Sequence, residues 1–352
     1  GGARAGASTL LGAFPPMNYL YLLLIFVPLT IVGWFLHWNP VLIFFSAAVG
    51  VVPLAGILGE ATEQLAERAG PRVGGLLNAT MGNAAELIIT IFAIKEGLLE
   101  LVKASITGSI LGNLLLITGA SIFLGGWRNG VQRFDRTHAG TNATMSVLAI
   151  IALSIPSLFS HSIEATSHMA VEYLSLGVAS AMILIYISSV AFALRGVHGE
   201  TAAQHTSRQP LGITIALLAG AAGLIAWLSE ILVGAVEPVI ASLGVTEFFL
   251  GIILIPLVGN VAEHLVAVEM AWKNRMELSL NISFSSSLQI ALLVAPLLVF
   301  ISLLMGNPLT LVFNQFELIA LIAAALITTL VALDGESNWL EGAQLLVVYF
   351  IV

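Results

Sequence analysis

The stretch Gly82-Asn83-Ala84-Ala85-Glu86 returns 177 residues later as Gly259-Asn260-Val261-Ala262-Glu263, and each copy lies inside an otherwise apolar segment. A charged side chain at the centre of a bilayer costs roughly 2.5–3.5 kcal/mol or more, so a carboxylate placed there marks a functional site by default. Two of them, duplicated in register, point to one site built by two halves of the chain.

The repeat extends outward from these stretches. At the same offset Gly74 matches Gly251 and Leu77 matches Leu254. On the N-terminal side, Leu58-x-Glu60 with Glu67 matches Leu228-x-Glu230 with Glu237 at an offset of 170. On the C-terminal side, Ser109-x-x-x-Asn113 matches Ser285-x-x-x-Gln289 at 176. Changes of offset between segments mark small insertions in the loops.

Composition places the whole chain in a membrane. It is 58% hydrophobic and 9% charged, with a mean hydropathy of +1.01, where a soluble domain carries about 25% charge. The net charge of −8 provides no basic face and argues against nucleic acid. The absence of cysteine removes disulfides and thiolate metal sites. Hydropathy gives eleven spans, at roughly 17–36, 41–66, 73–94, 98–124, 141–158, 173–194, 211–234, 246–271, 277–303, 308–332 and 340–352. The expected fold class is an all-α integral membrane protein. A tail over 1–16 leads to an extra first helix over 17–36. A five-helix repeat over 41–194, a cytoplasmic linker over 195–210 and a second repeat over 211–352 follow.

Charge distribution tests the count. With eleven spans, Arg4, Arg68, Arg72, Arg128, Arg133, Arg136, Arg195, Arg208, Lys273 and Arg275 fall on one side, and only Lys95 and Lys103 on the other. This is the asymmetry of the positive-inside rule and puts the N-terminus in the cytoplasm. The two tetrads lie on the third and eighth spans. These are five helices apart, so they cross in opposite directions. That is an inverted-topology repeat, which places a transporter's site near the midplane.

Gly-Asn is a poor helix former, and Asn competes for backbone hydrogen bonds. At mid-membrane this predicts a break whose freed carbonyls face a cavity. Asn83 with Glu86, and Asn260 with Glu263, are i,i+3 pairs on one helix face. Ser109 with Asn113, and Ser285 with Gln289, are i,i+4. Together they offer an all-oxygen set suited to a hard divalent ion such as Ca²⁺, which takes 6–8 oxygens. Two carboxylates neutralise one such ion; without it they cannot both stay ionised so close together, so cation and proton exclude one another. That exclusion is the physical basis of cation/proton exchange. His264 either joins the proton handling or hydrogen-bonds between helices.

These residues resemble the calcium/proton exchanger (CAX) family of the cation/Ca²⁺ exchanger superfamily, and the resemblance runs from about residue 17 to the end. It implies a cation site between the third and eighth helices and export or sequestration of cytosolic Ca²⁺ driven by a proton gradient. It maps the family's acidic pair onto Glu86 and Glu263, its site amides onto Asn83 and Asn260, and the neighbouring amides onto Asn113 and Gln289. Gly82, Gly259, Ser109, Ser285 and His264 complete the expected cation and proton site, with Glu60 and Glu230 as portal or gating carboxylates. The resemblance further implies that spans one, two, six, seven and eleven rock against a core of spans three to five and eight to ten. Sodium/calcium exchangers carry a Thr-Ser-x-Pro-Glu type motif at these positions. The chain lacks it, which disfavours sodium coupling. The acidic linker of many members is also missing, since 195–209 contains only Glu200.

The expected partners are therefore Ca²⁺ and H⁺, with Mn²⁺ as a further candidate, and the lipid bilayer; a homo-oligomer is compatible with them. No cofactor is expected, Ca²⁺ being the transported substrate. The compact linkers lean towards a prokaryotic plasma membrane rather than a vacuolar one. The rival readings are a sodium-coupled or other divalent exchanger, a cation channel and an intramembrane enzyme. The chain has no His-Glu-x-x-His motif and no phosphate-cradling loop with lysine, which speaks against an enzyme. Two inverted copies of one site suit alternating access better than a channel ringed about an axis. Glu63 and Glu67 read as a wet surface, and Glu269 with Lys273 as an interfacial pair. His161, Glu164, His168 and Glu172 read as a hydrated loop before a surface metal site.

Overall fold

The computed structural model describes residues 17–164, 168–196 and 210–352. The tail expected over 1–16 and most of the expected linker lie outside the described residues. A 3₁₀ turn, Met17–Ile25, leads into α1 (Phe26–Phe35) and then α2 (Pro40–Met81), which is broken at Gly70 by a non-helical φ of 82°. There follow α3 (Ala84–Lys95), α4 (Leu99–Leu111), a π segment (Gly112–Ile117) and α5 (Thr118–Asn129). Strand β1 (Gln132–Arg133), α6 (Arg136–Glu164) and α7 (His168–Gly196) close the first half. The second half runs α8 (Leu211–Gly234), α9 (Val236–Leu243), α10 (Glu247–Phe249), a π segment (Leu250–Leu254), α11 (Ile255–Trp272), α12 (Met276–Gln289), a π segment (Ile290–Val294) and α13 (Ala295–Met305). It ends with α14 (Gln315–Ala332), β2 (Glu336–Ser337) and α15 (Trp339–Ile351).

Among the described residues, eight helices are long and apolar enough to cross a membrane, and Leu20–Phe35 and Trp339–Ile351 are shorter apolar ones. The expected third span is a two-piece rod made by the end of α2 after Gly70 and by α3. Helix is the only open-chain structure that satisfies its own backbone in lipid, and the interruptions fall inside the protein.

The inverted repeat is visible in the backbone. Gly97, after α3, and Asn274, after α11, are 177 apart and both take positive φ, 77° and 60°. Each ends its helix in a Schellman motif: Gly97 N–H donates to Ile94 and Leu98 N–H to Ala93, as Asn274 N–H does to Ala271 and Arg275 N–H to Met270. The Gln132 side-chain amide donates to the Ala271 carbonyl at 2.9 Å, and the Asn307 amide to Ile94, the residue 177 before Ala271, also at 2.9 Å. The two halves thus fold alike down to single hydrogen bonds.

Three expectations change. First, the last long span was expected from 308 but starts at Gln315. Asn314 and Glu317 form a capping box there, and the preceding segment, with Leu309, Leu311 and Phe313 buried, is stitched to Ser175 and Ser157 by backbone donors from Leu311 and Phe313. Second, Gly-Asn breaks the helix only in the first copy, where 82–83 separate α2 from α3. In the second copy α11 runs through Gly259 and Asn260, and the distortion moves to Leu250–Leu254. Pro256 is the cause. It has no N–H for the Ile252 carbonyl and its ring crowds that turn, so the helix widens to π there. Pro296 follows Ile290–Val294 in the same way. Third, the eleventh span belongs to the core by packing. Leu345 of α15 lies over Gly119 of α5, and a Cβ on Gly342 would collide with the Phe123 backbone. The side chains of His161, Glu164 and His168 lie outside the described residues.

Candidate functional site

The break at 82–83 starts α3 at Ala84 and puts Glu86 in its first turn, while α11 carries Asn260, Glu263 and His264 across the same level. Glu86 is 3% exposed and Asn260 2%. Glu86 Oε1 accepts from the Ser109 hydroxyl of α4 and from the Asn260 amide, the latter at 2.6 Å. Its Oε2 is buried without a partner, as is Oε2 of Glu263.

The amides form a second line of bonds. Asn83 donates to Gln289 Oε1 at 2.8 Å. Ser286 donates to Asn83 Oδ1 at 3.2 Å, and Asn113 donates to Ser286 at 3.0 Å. His264 Nε2 lies 3.1 Å from Asn113 Oδ1. Since the Asn113 amide nitrogen already donates to Ser286, its oxygen is the acceptor, and His264 donates from Nε2. The site residues of both halves therefore form two hydrogen-bonded groups, Glu86 with Ser109 and Asn260, and a line from Gln289 through Asn83, Ser286 and Asn113 to His264, which together make a cluster spanning α3, α4, the Gly112–Ile117 segment, α11 and α12.

The glycines of the tetrads make this possible, each for the other half. A Cβ on Gly259 would stand 2.5 Å from Glu86 Cγ. One on Gly82 would stand 2.9 Å from Gln289 Oε1 and 3.6 Å from Glu263 Oε1. Each helix leaves out a side chain where the opposite glutamate passes.

Of the expected residues, Glu86, Asn83, Asn260, Ser109, Asn113, Gln289 and His264 are joined by direct hydrogen bonds. Gly82, Gly259 and Glu263 lie among them. Ser285 does not belong to the cluster: it is half-exposed and donates to Asn281 at 3.4 Å. Ser286 stands in its place. The signal was present, because 109 plus the tetrad offset gives 286, whereas 285 followed from aligning Asn113 with Gln289. Glu60 and Glu230 are exposed and outside the cluster. Glu60 accepts from Tyr21 at 2.9 Å, and Glu230 pairs with Lys95 at 3.1 Å, both about half exposed.

Access to the cluster differs on its two sides. On the Lys95–Lys103 side, α4 presses on the Leu250–Leu254 segment so tightly that a Cβ on Gly108 would collide with the Ile252 carbonyl and one on Gly251 would stand 2.7 Å from Ala104 Cβ. The symmetry-related face of α12, carrying Leu278, Asn281 and Ser285 at the same offset from Leu101, Ala104 and Gly108, is exposed to half-exposed, with Leu278 at 48%. A cavity of about 90 Å³ opens there between α6 and α12, lined among others by Asp135, His138, Asn142, Glu277 and Asn281. The contact beside the site is closed on one side, and its symmetry-related face on the arginine-rich side is open.

Comparison with known proteins agrees with this architecture. The family described as sodium/calcium exchanger protein matches residues 39–195 and 213–352. The chain is 42% identical over 350 residues to a Ca²⁺/H⁺ antiporter of Aphanothece halophytica, covering 94% of each chain. It is 41% identical over 347 residues to the Ca²⁺/H⁺ antiporter ChaA of Bacillus subtilis, covering 96% of this chain and 98% of that one. The solved structure of native YfkE superposes with a TM-score of 0.84 at 39% identity, covering 94% of this chain and 97% of that one.

Proposed function

This chain belongs to the sodium/calcium exchanger protein family, and on that premise we propose that it is a Ca²⁺/H⁺ antiporter in which the ion and protons compete for Glu86 and Glu263. The observation that carries this reading is the pair of buried carboxylates, each with one oxygen lacking a partner, inside a ring of amide and hydroxyl groups. Ca²⁺ is a hard ion served by oxygen donors, and the cluster provides only those apart from the His264 ring.

Without the ion, the amides of Asn260, Asn83 and Asn113 donate inward to Glu86, Gln289 and Ser286. Those donors repel a cation. Loading Ca²⁺ therefore requires the amides to turn their carbonyl oxygens to the ion while the carboxylates give up protons. Unloading reverses both changes. Positive charge is then always present beside the two acids, as protons or as Ca²⁺, and an unneutralised pair does not cross the bilayer. That coupling is the exchange.

The arginine-rich side is cytoplasmic by the positive-inside rule, so the open face lies towards the cytoplasm. Spans one, two, six and seven move against the remaining core, and the seal passes from α4 against Leu250–Leu254 to its symmetry partner, α12 against the start of the third span around Gly74. Glu60 and Glu230, on α2 and α8, ride on the moving part, as portal residues would.

Sealed proteoliposomes with an imposed pH gradient test the reading. Ca²⁺ uptake should require the gradient, proceed without sodium and disappear in Glu86→Gln and in Glu263→Gln. Uptake driven by a sodium gradient, or uptake with no gradient at all, would replace this reading with a sodium-coupled exchanger or a channel.

A further inference from the structure

Below the site, towards the arginine-rich face, α5, α11 and α12 pack together over the β1–β2 pair, and this seam is lined with hydroxyls. On α12, Ser279, Ser283, Ser286 and Ser287 repeat at helical spacing, and all are 3% exposed or less. On the π segment and α5, Asn113, Thr118 and Ser121 continue the line, all within 1% exposure. Gln132 and Ser337, paired in the β1–β2 register and each 1% exposed, close its lower end, with the Gln132 amide lying over Gly125 of α5.

Small hydroxyl residues often serve only to let membrane helices approach. The molecule contains its own control for that explanation. The symmetry-related seam, on the other side of the site, is formed by the residues 177 before or after these. There Leu298 replaces Ser121, Val102 replaces Ser279, Ile106 replaces Ser283, Ala295 replaces Thr118 and Leu87 replaces His264. Leu298, Val102 and Ile106 are as deeply buried as the serines, and the helices turn with the same hydrogen bonds. The fold therefore does not need hydroxyls in this position.

A second observation points to what they serve. Ser121 Oγ, Ser279 Oγ, Gln132 Oε1 and Ser337 Oγ are buried with no partner in the protein, and at the upper end so is His264 Nδ1. A buried polar atom without a partner costs about 1–3 kcal/mol, and most such atoms bind water. Four fall along one seam that ends at the exchange site, and none falls in the other seam, where Leu298, Val102 and Ile106 stand at the matching positions and the hydroxyls of Thr90, Ser160 and Ser302 all have partners.

We infer that this seam holds a file of buried water that carries protons between the exchange site and the cytoplasmic face, apart from the path of the cation. The vertical distance is short: Ser286 to Ser279 is about 10 Å at ~1.5 Å per residue. Each water or hydroxyl accepts one proton and passes on another, so the net change is one proton leaving a site carboxyl and one appearing at the surface. Nothing is oxidised, and no other bond is made. Ca²⁺ cannot use the seam, which has no charged ligand along it, and comes instead from the exposed face of α12. Separate routes let a proton leave while the ion that displaces it arrives.

The inference rests on the Ca²⁺/H⁺ reading and deepens it. The test is the double variant Ser121→Ala with Ser279→Ala in proteoliposomes, with Ser154→Ala as a buried-serine control on α6. Two fluxes are compared: Ca²⁺ uptake driven by a pH gradient, in H₂O and D₂O, and radiolabelled Ca²⁺/Ca²⁺ exchange without a gradient, which moves no protons. The double variant should lose about tenfold or more of the proton-driven flux, as removal of proton-transfer groups does, with a larger slowing in D₂O and with Ca²⁺/Ca²⁺ exchange and Ca²⁺ affinity unchanged. Proton-driven flux equal to wild type, or an equal loss in both fluxes, would overturn the water file. Absence of proton-driven uptake in the wild type would instead overturn the exchange reading beneath it.

Discussion

The two halves of this protein share turns, caps and even single side-chain hydrogen bonds, yet what they build on either side of the site is opposite. On the Lys95–Lys103 side, α4 and the Leu250–Leu254 segment meet through Gly108 and Gly251 with no room for a methyl group, and the seam behind them is mostly aliphatic, its buried hydroxyls at Thr90 and Ser302 being hydrogen-bonded. On the arginine-rich side, the corresponding face of α12 is exposed, and the seam behind it is lined with serines. The first difference is conformational: one backbone plan provides two equivalent seals, of which one is closed. The second difference is chemical and written in the sequence, so it persists whichever seal is closed. A symmetric scaffold supplies alternating access, and asymmetric side chains decide which ion takes which route.

The comparison can be broken at several points. The largest effect belongs to the acids shared by both halves: Glu86→Gln and Glu263→Gln should each reduce Ca²⁺ affinity by about a hundredfold or more, since even outer-shell changes around a metal cost about 10–100-fold. Isothermal titration in detergent measures this, and a loss confined to one variant would break the claim of a shared site.

The tetrad glycines come next, and the structure makes them unequal. Alanine at Gly259 would meet the stem of Glu86, which Ser109 and Asn260 hold in place, whereas alanine at Gly82 meets first the movable end of Gln289. Gly259→Ala should weaken Ca²⁺ binding about 10–100-fold and Gly82→Ala distinctly less. The reverse order would mean that the two halves do not hold their glutamates as described.

The seams differ in what truncation does to stability. Leu298→Ala opens a cavity in a close-packed seam and should cost about 2–5 kcal/mol, read as a fall in the thermal midpoint in detergent. Ser121→Ala removes an unpartnered hydroxyl and should cost less than about 1 kcal/mol. Equal losses would show that both seams are dry and packed alike. The smallest effect is expected at the exposed carboxylates: the Glu230–Lys95 pair is about half exposed on both sides, and exposed pairs contribute about 0–1 kcal/mol. Glu230→Gln should leave stability nearly unchanged, so any marked change in transport by this variant or by Glu60→Gln reports a portal role and not a folding defect.

Much of this was legible in the sequence because membranes impose strong rules. Apolar length marks the crossings, and a duplicated Gly-Asn-x-x-Glu marks which crossings face each other. The sequence was less informative wherever helix register changes without a hydropathy signal. Ser285 was read as a site residue because Asn113 was aligned with Gln289 at an offset of 176, whereas the tetrad offset of 177 leads from Ser109 to Ser286. The helix break expected at Gly259-Asn260 was absent because Pro256, one turn earlier, absorbs the distortion. The start of α14 was misplaced because the buried segment before it is apolar yet extended, its backbone held by serines distant in sequence. The unequal seams were present as Ser121 against Leu298 and Ser279 against Val102, but they acquire meaning only once the fold lays them beside the site.

The central claim is that Ca²⁺ and protons compete for Glu86 and Glu263. Its most direct test is proton release on Ca²⁺ binding, measured by titration calorimetry of the purified protein near neutral pH in buffers of different ionisation enthalpy. Proton release that accompanies binding in the wild type and falls in both Glu86→Gln and Glu263→Gln is the predicted result. Ca²⁺ binding at these residues with no proton release would contradict it.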